Sequence, residues 1–447
     1  MTGFVLCVLA FMAVWRASRR STGHGLGALF AVGYAYGILR ANFPDGFSHF
    51  LFDAAVAGLY VGNFTGPGAR RSTGPNRVRV WAYALIAWPA LLMLVPSQHF
   101  LVQLVGLRAA AWFLPCVLIG ARCGGEELRQ MARWLAGLNL VALLFGLAEL
   151  VLGVERFYPY NAVTDLIYRS SDVGPQGDLR IPAVFPNAHA YGGTMVDSLP
   201  LLLGAWSQTT ARREQTLYVA GAFAAVLGVF LCAARQPVVY LLVLGIVFLF
   251  SLPLTSRRRV TALLVIALVA GIVSTNERFQ RSLLLTDTEK VAGRVQGSLN
   301  MSFVELLLEH PMGEGLASAA GTSIPFFMEG LAKPQIGMEN EWGRIALEQS
   351  LLGLGLWVAF IGATLAQYPR AKTPWLVARR LIWTLVGMLW ATAFIGTGML
   401  TSIPSTTLLL VFMGVLWGPL SVRARSPRPA RGGAQPAAAG SPQAVAA

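Results

Sequence analysis

The sequence predicts an all-α fold, a polytopic transmembrane helical bundle, and three observations carry that prediction. Long apolar runs recur from one end of the 447 residues to the other. Only 13% of the residues are charged against 55% hydrophobic, and mean hydropathy is +0.58, which leaves too little charge to clothe a water-soluble chain of this size. The basic residues stand in short clusters between the apolar runs. A bilayer core about 30 Å thick needs roughly 20 apolar residues per crossing helix. Lipid cannot hydrogen-bond the backbone, so a spanning segment must be a helix or belong to a closed barrel. These runs are continuous rather than alternating, which selects helices.

Apolar runs fall near 2–15, 22–39, 50–64, 80–96, 99–121, 134–153, 191–206, 217–233, 237–254, 260–274, 350–367, 381–400 and 402–419. The first is short and lacks a basic leading region, so it does not read as a cleaved signal peptide. Whether it crosses fully decides between twelve spans and thirteen. Alternate connections carry about two-thirds of the 35 Lys and Arg, in clusters such as Arg16/Arg19/Arg20, Arg122/Arg129/Arg133 and Arg257/Arg258/Arg259, and this set is predicted to face the cytoplasm. With thirteen spans the N-terminus lies outside and the C-terminus inside.

The expected organisation is N-terminal transmembrane helices over 1–130, a membrane core over 131–420, and a tail over 421–447. The core carries two long extracytoplasmic loops, 154–190 and 275–349. The tail is too rich in Pro, Ala, Gly and Arg to bury a core and is expected to be disordered and cytoplasmic. In the second loop, Leu299, Phe303, Leu306 and Leu307 share one face of a predicted helix over 297–309, and Pro311 ends it. A further helix begins near MENEWGRIALEQ and re-enters the membrane. The loop is therefore predicted to fold as a cap.

The formal charge of +14 does not point to nucleic acid, because no basic stripe interleaved with aromatics appears. Cys7, Cys116, Cys123 and Cys232 lie in or beside apolar runs without ligand spacing and read as packing residues. No carboxylate cluster with His or Cys spacing is present, so neither metal nor other cofactor is expected. Arg108 and Asp197 both fall inside predicted spans and are expected to pair there, the alternative being a lateral channel for a lipid. Asp53 and Glu149, near outer span ends, are expected to reach water.

One loop reads RIPAVFPNAHAYGG, Arg180 to Gly193. It is followed by Ala234-Arg235-Gln236 between two spans, then by Arg294, by His310-Pro311-Met312-Gly313-Glu314-Gly315, and by Glu339-Asn340 ahead of Leu351-Leu352-Gly353-Leu354-Gly355. In order, sidedness and spacing, across roughly residues 130–420, these motifs resemble the O-antigen ligase and polysaccharide polymerase superfamily of bacterial membrane glycosyltransferases. The chain departs from that pattern at Glu339, where the ligases place a His, and at the Arg235 turn, which lacks the preceding Ser and the following Gly.

The resemblance implies a GT-C-like bundle in the bacterial inner membrane. It also implies transfer of glycan from a polyprenyl-diphosphate carrier to a glycan or lipid acceptor outside, in surface polysaccharide biosynthesis. A departing diphosphate needs positive charge aimed at it, and guanidinium gives bidentate, permanently charged contacts. Arg235 and Arg294 are the candidates, with Arg180 third. Arg235 also reads as an interfacial side chain snorkelling to headgroups. Glu339 is the candidate base for the acceptor hydroxyl, or else a cap of the next helix with Asn340. Asn187, His189, His310 and Asn340 are candidate hydroxyl-binding groups, each equally able to hold a loop turn. Two other readings stay open: a transporter or flippase of lipid-linked glycans, and a non-catalytic family member.

Overall fold

A computed structural model describes residues 1–65, 75–169, 179–252, 303–320, 322–337, 340–370, 374–396 and 398–418, with isolated positions between 259 and 271. Helices occupy every predicted apolar run but that near 260–274, most of which lies outside the described residues. In chain order they are α1 (Thr2–Arg20), α2 (Thr22–Asn42), α3 (Leu51–Thr65), α4 (Asn76–Leu92), α5 (Phe100–Leu107), α6 (Pro115–Gly120), α7 (Gly125–Leu152), α8 (Asp165–Arg169), α9 (Ala188–Gln208), α10 (Arg212–Leu231), α11 (Arg235–Ser251), α12 (Phe303–Glu309), α13 (Glu341–Leu365), α14 (Leu376–Thr392) and α15 (Ser405–Trp417). No strand occurs among the described residues; Ala319 and Ile336 form an isolated bridge.

Among the described residues, five stretches are long and apolar enough to cross a membrane: Thr2–Arg20, Phe100–Gly120, Gly125–Leu152, Arg212–Leu231 and Glu341–Leu365. The first runs past the apolar stretch read from sequence, because Arg16, Arg19 and Arg20 continue the helix to Ser21, which caps α2 in turn. The stretch Phe100–Gly120 is not one regular helix. A π-helical turn at Arg108–Trp112 separates α5 from α6, and Pro115 opens α6.

The bundle has two ends, each tied together by polar contacts. At one, Ser21 Oγ donates to Gln130 (2.6 Å), Arg133 to Glu214 (2.6 Å) and the Trp375 amide to Gln208 (2.8 Å). The described members of the basic clusters gather there. At the other, the Gly3 amide donates to Asp45 (2.8 Å), Asn42 to the Phe157 carbonyl (3.0 Å), Lys333 to the Ser97 carbonyl, and the Glu341 amide to the Ala393 carbonyl (2.9 Å). The loops carrying the candidate residues lie at this second end.

Small residues let the backbones meet. Gly120 and Gly414 bring α6 and α15 into backbone contact, and Gly204 packs against Ala378. With lipid outside, helix association rests on such close packing rather than on a hydrophobic drive.

Two sequence expectations need correction. Arg108 does not pair with Asp197: its Nε and Nη2 donate to the two Asp53 oxygens at 2.6 and 2.9 Å. Neither Asp53 nor Glu149 reaches water; both are buried, Glu149 against the Ala183 amide. As expected, α13 begins within the MENEWGRIALEQ stretch, at Glu341, where Asn340 caps it and its first two turns bury their charges in a pair network.

Candidate functional site

The loop 179–187 is held at almost every residue. Pro182 and Pro186 restrict the chain and lack an N–H. Ala183 takes a left-handed conformation (φ 50°), and its amide donates to Glu149 Oε2 at 2.9 Å. Tyr158 Oη lies 2.7 and 2.8 Å from the Ala183 and Phe185 carbonyl oxygens, which share its one proton. Burial, with the Glu149 carboxylate nearby, holds that phenol well above its ordinary range, so it stays a donor. The Val184 carbonyl accepts from the Ile38 amide of α2 at 3.2 Å. At Gly37 a side-chain carbon would overlap the Phe185 carbonyl, so only glycine lets α2 pass this close. The Phe185 ring lies between Tyr34 (4.8 Å) and Tyr191 (5.5 Å, stacked).

This rigid loop delivers three of the candidate residues to the start of α9. Asn187 caps the helix, its Oδ1 accepting from the Ala190 amide at 2.8 Å. Arg180 Nη1 lies 3.0 Å from His189 Nε2. A guanidinium can only donate, so that imidazole nitrogen accepts and the ring proton sits on Nδ1. His189 is exposed and Arg180 half-buried. One turn further along α9, Gly192 receives the Cys232 sulfur and the Pro237 ring, so the turn carrying Arg235 docks on the same part of the helix. Ala233 takes a left-handed conformation (φ 51°) there, and Arg235, exposed, begins α11. The structure thus brings Arg180, Asn187, His189 and the Arg235 turn to one corner of the bundle.

His310 and Asn340 belong to a neighbouring assembly. His310 follows α12, and its Nδ1 lies 2.7 Å from Glu314 Oε1. Gly313 (φ 72°) and Gly315 (φ 90°) turn the chain so that the Glu314 amide donates to the Leu347 carbonyl at 2.7 Å. Leu316, Ala317 and Ala319 are then buried, with Gly106 of α5 against the backbone at Leu316–Ala317. Asn340 is buried and its Oδ1 accepts from the Gly343 amide at 3.1 Å. Of the predicted helix over 297–309, α12 covers 303–309; residues 297–302, Arg294 and Glu339 lie outside the described residues.

Sequence reasoning passed over the most deeply buried charges in this half of the molecule. Arg344 donates to Glu341 at 2.6 Å and to Glu348 at 2.9 Å, with all three side chains fully buried. Thr322 donates to Glu348, and the Gly398 amide to Glu341 at 2.8 Å. The network fastens the segment before α13 and the loop after α14 onto one helix. Its signal was present as E-x-x-R-x-x-x-E in residues 341–348, which puts all three charges on one helical face.

Arg40 is the second group passed over. It lies in the last turn of α2, one turn beyond Gly37, and its Nη2 lies 3.5 Å from His49 Nε2. Burial, then the Arg40 and Arg108 charges, push the His49 pKa down to about 3, so the imidazole is neutral. Among the described residues no three His, Cys, Asp or Glu side chains stand close enough to hold a metal ion. Compared with known proteins, the chain matches no family model and no curated relative.

Proposed function

We propose that the chain is a membrane glycosyltransferase that ligates or polymerises glycan delivered on a polyprenyl-diphosphate carrier, at the extracytoplasmic face of the bacterial inner membrane. In this reading the bundle is GT-C-like with about twelve or thirteen spans, the basic end faces the cytoplasm and the site lies at the opposite end. The observation that carries it is the corner where the loop 179–187 and the Arg235 turn meet on the first turns of α9. Two guanidinium groups are presented there by backbone with little freedom to move. Positive charge positioned in advance is what a departing diphosphate requires.

Arg235 and Arg294 take the leaving diphosphate, with Arg180 beside His189 as the third cation. Glu339 removes the proton from the acceptor hydroxyl, and Asn187, His189, His310 and Asn340 orient sugar hydroxyls. Asn340 and Asn187 keep their amide nitrogens for that task while their oxygens cap helices. No nucleic acid and no metal enters the scheme.

Deleting the gene and examining surface glycan together with lipid-linked intermediates tests this. Loss of a polymerase leaves short glycans and intact lipid-linked repeats; loss of a ligase leaves full-length chains on the carrier. Unchanged glycans and intermediates would end the proposal. The competing reading is a transporter of the same lipid-linked substrates, and one observation favours it. Asp197 is buried within α9, and one of its oxygens has no hydrogen-bond partner among the described residues, as expected of a group lining a path through the bundle. Lipid-linked glycan trapped on the cytoplasmic side of the deletion strain would support that alternative.

A further inference from the structure

The end of α2 presents a cation whose counter-ion is not part of the described chain. Arg40 is half-buried, its Nε is buried without a hydrogen-bond partner, and its nearest polar neighbour is the His49 imidazole, 3.5 Å away. The two carboxylates in the neighbourhood are engaged elsewhere. Asp53 takes both bonds from Arg108, and Asp45 accepts from the Gly3 and Ser48 amides with the chain's amino terminus 3.9 Å away. Both carboxylates are taken by other donors, and among the described residues Arg40 has no carboxylate partner. A partly buried guanidinium without an anion is costly to hold, and a bound anion removes that cost.

The surroundings state what kind of anion. His49 is flanked by the rings of Phe326 and Phe327, each 5.5 Å away, and Tyr36 lies under the Arg40 guanidinium, 5.8 Å from ring centroid to Cζ. Phe326 and Phe327 remain 36% and 42% exposed. A free inorganic anion has no use for exposed aromatic rings next to its cation. A phosphate carried on a hydrocarbon chain does, because the rings cover the chain while the guanidinium holds the head. Aromatic side chains are also enriched at the membrane interface, the level at which lipid phosphates lie.

We propose that Arg40, with His49 as the group that fixes its guanidinium and Phe326–Phe327 as an apolar wall, binds a phosphate of a lipid-linked diphosphate. This deepens the function proposed above and rests on it. The location supports it: Arg40 stands one turn beyond Gly37, where α2 touches the Phe185–Pro186 backbone of the loop that carries Arg180 to His189. A diphosphate at Arg40 therefore lies beside the loop that holds Arg180, and Arg40 anchors the carrier while the cations assigned above meet the bond that breaks. No covalent step is assigned to Arg40.

Phospholipid headgroups share this chemistry, and the test separates the two sources. The full chain, purified in detergent, is titrated with a polyprenyl diphosphate and, separately, with phosphatidylglycerol, using native mass spectrometry to read occupancy. Arg40→Gln is expected to weaken polyprenyl diphosphate binding about tenfold or more, the scale of losing a charge-assisted bond, and to leave phosphatidylglycerol unchanged. Arg40→Lys keeps the charge and loses the planar fork, and is expected to weaken binding by a smaller factor; it serves also if the Gln variant does not fold. Equal binding of polyprenyl diphosphate by wild type and both variants would overturn the inference. An equal loss of both lipids would overturn it too, by making Arg40 a general headgroup anchor. Failure of the wild-type chain to bind polyprenyl diphosphate at all would instead overturn the function on which it rests.

Discussion

Arg108 and Asp53 form a two-bond ion pair, 2.6 and 2.9 Å, that locks the end of α5 to the first turn of α3. The Asp53 side chain is 12% exposed and that of Arg108 25%, so removing one partner strands the other in surroundings that solvate it poorly. Arg108→Ala is expected to lower stability by about 3 kcal/mol. The paired replacement Arg108→Met with Asp53→Leu should cost much less, because it strands no charge. Thermal unfolding of the purified variants in one detergent checks both, and equal losses would show that the pair is not the relevant interaction.

The Glu341–Arg344–Glu348 network predicts a sharper loss. Arg344→Met leaves two buried carboxylates without their cation and is expected to cost roughly 3–5 kcal/mol, enough to abolish folded protein in a marginal chain. Glu348→Gln keeps one acceptor oxygen, enough for Arg344 but not also for Thr322, and leaves Arg344 paired with Glu341, so it should be milder. The yield of monodisperse protein in size-exclusion chromatography ranks the two.

His49 makes stability depend on pH. Its pKa in the folded chain, about 3, lies below its ordinary 6.5 because burial and the Arg40 and Arg108 charges, opposed only by Asp45, disfavour the imidazolium. The unfolded chain therefore binds a proton that the folded chain refuses. The contribution is fully present above about pH 6.5 and is lost progressively as pH falls towards 3, at roughly 1.4 kcal/mol per pH unit for a single proton. Unfolding midpoints of wild type and His49→Gln compared between pH 7 and 4 should diverge from the high-pH side downward. Parallel curves would show that His49 does not titrate differently on unfolding.

Gly37→Ala places a methyl group against the Phe185 carbonyl and should push the loop 179–187 off α2. The expected cost is roughly 1–3 kcal/mol, with faster hydrogen exchange confined to that loop and the first turn of α9. Tyr158→Phe, which leaves the Ala183 and Phe185 carbonyls without their shared donor, should raise exchange in the same peptide. Exchange unchanged in both variants would mean that other contacts hold the loop.

Under the proposed activity, Arg235→Ala and Arg294→Ala should each lower transfer by about 10²–10³-fold, as expected when charge aimed at a leaving group is removed. Arg212→Ala, at the basic end, should have little effect. Transfer of radiolabelled lipid-linked glycan by purified protein is the assay, and full activity in both site variants would favour a non-catalytic role.

Several features are legible in the amino-acid sequence alone. The helical class, the placement of the described helices and the alternation of basic with less basic connections follow from composition and run length, because each segment must satisfy its own backbone in lipid. The stretch from Arg180 to Gly193 was legible as one motif, but not that Asn187 would cap α9. That the Arg235 turn docks beside it was not, since the contact depends on Gly192 of α9 accepting Cys232 and Pro237. Neither was the burial of the charged first turns of α13, which depends on Arg344 standing between two carboxylates.

By itself the amino-acid sequence determined what each segment is: which stretches are helices, which end of the bundle gathers the described basic clusters, and where prolines and glycines break the chain. Only the tertiary structure decided which charges meet, giving Arg108 to Asp53 rather than Asp197, burying Glu341, Arg344 and Glu348 together, and leaving Arg40 beside a neutral His49. Helix formation in lipid is settled residue by residue along the chain, whereas a pairing across helices depends on each helix's rotation and depth, which arise only when all the helices pack at once.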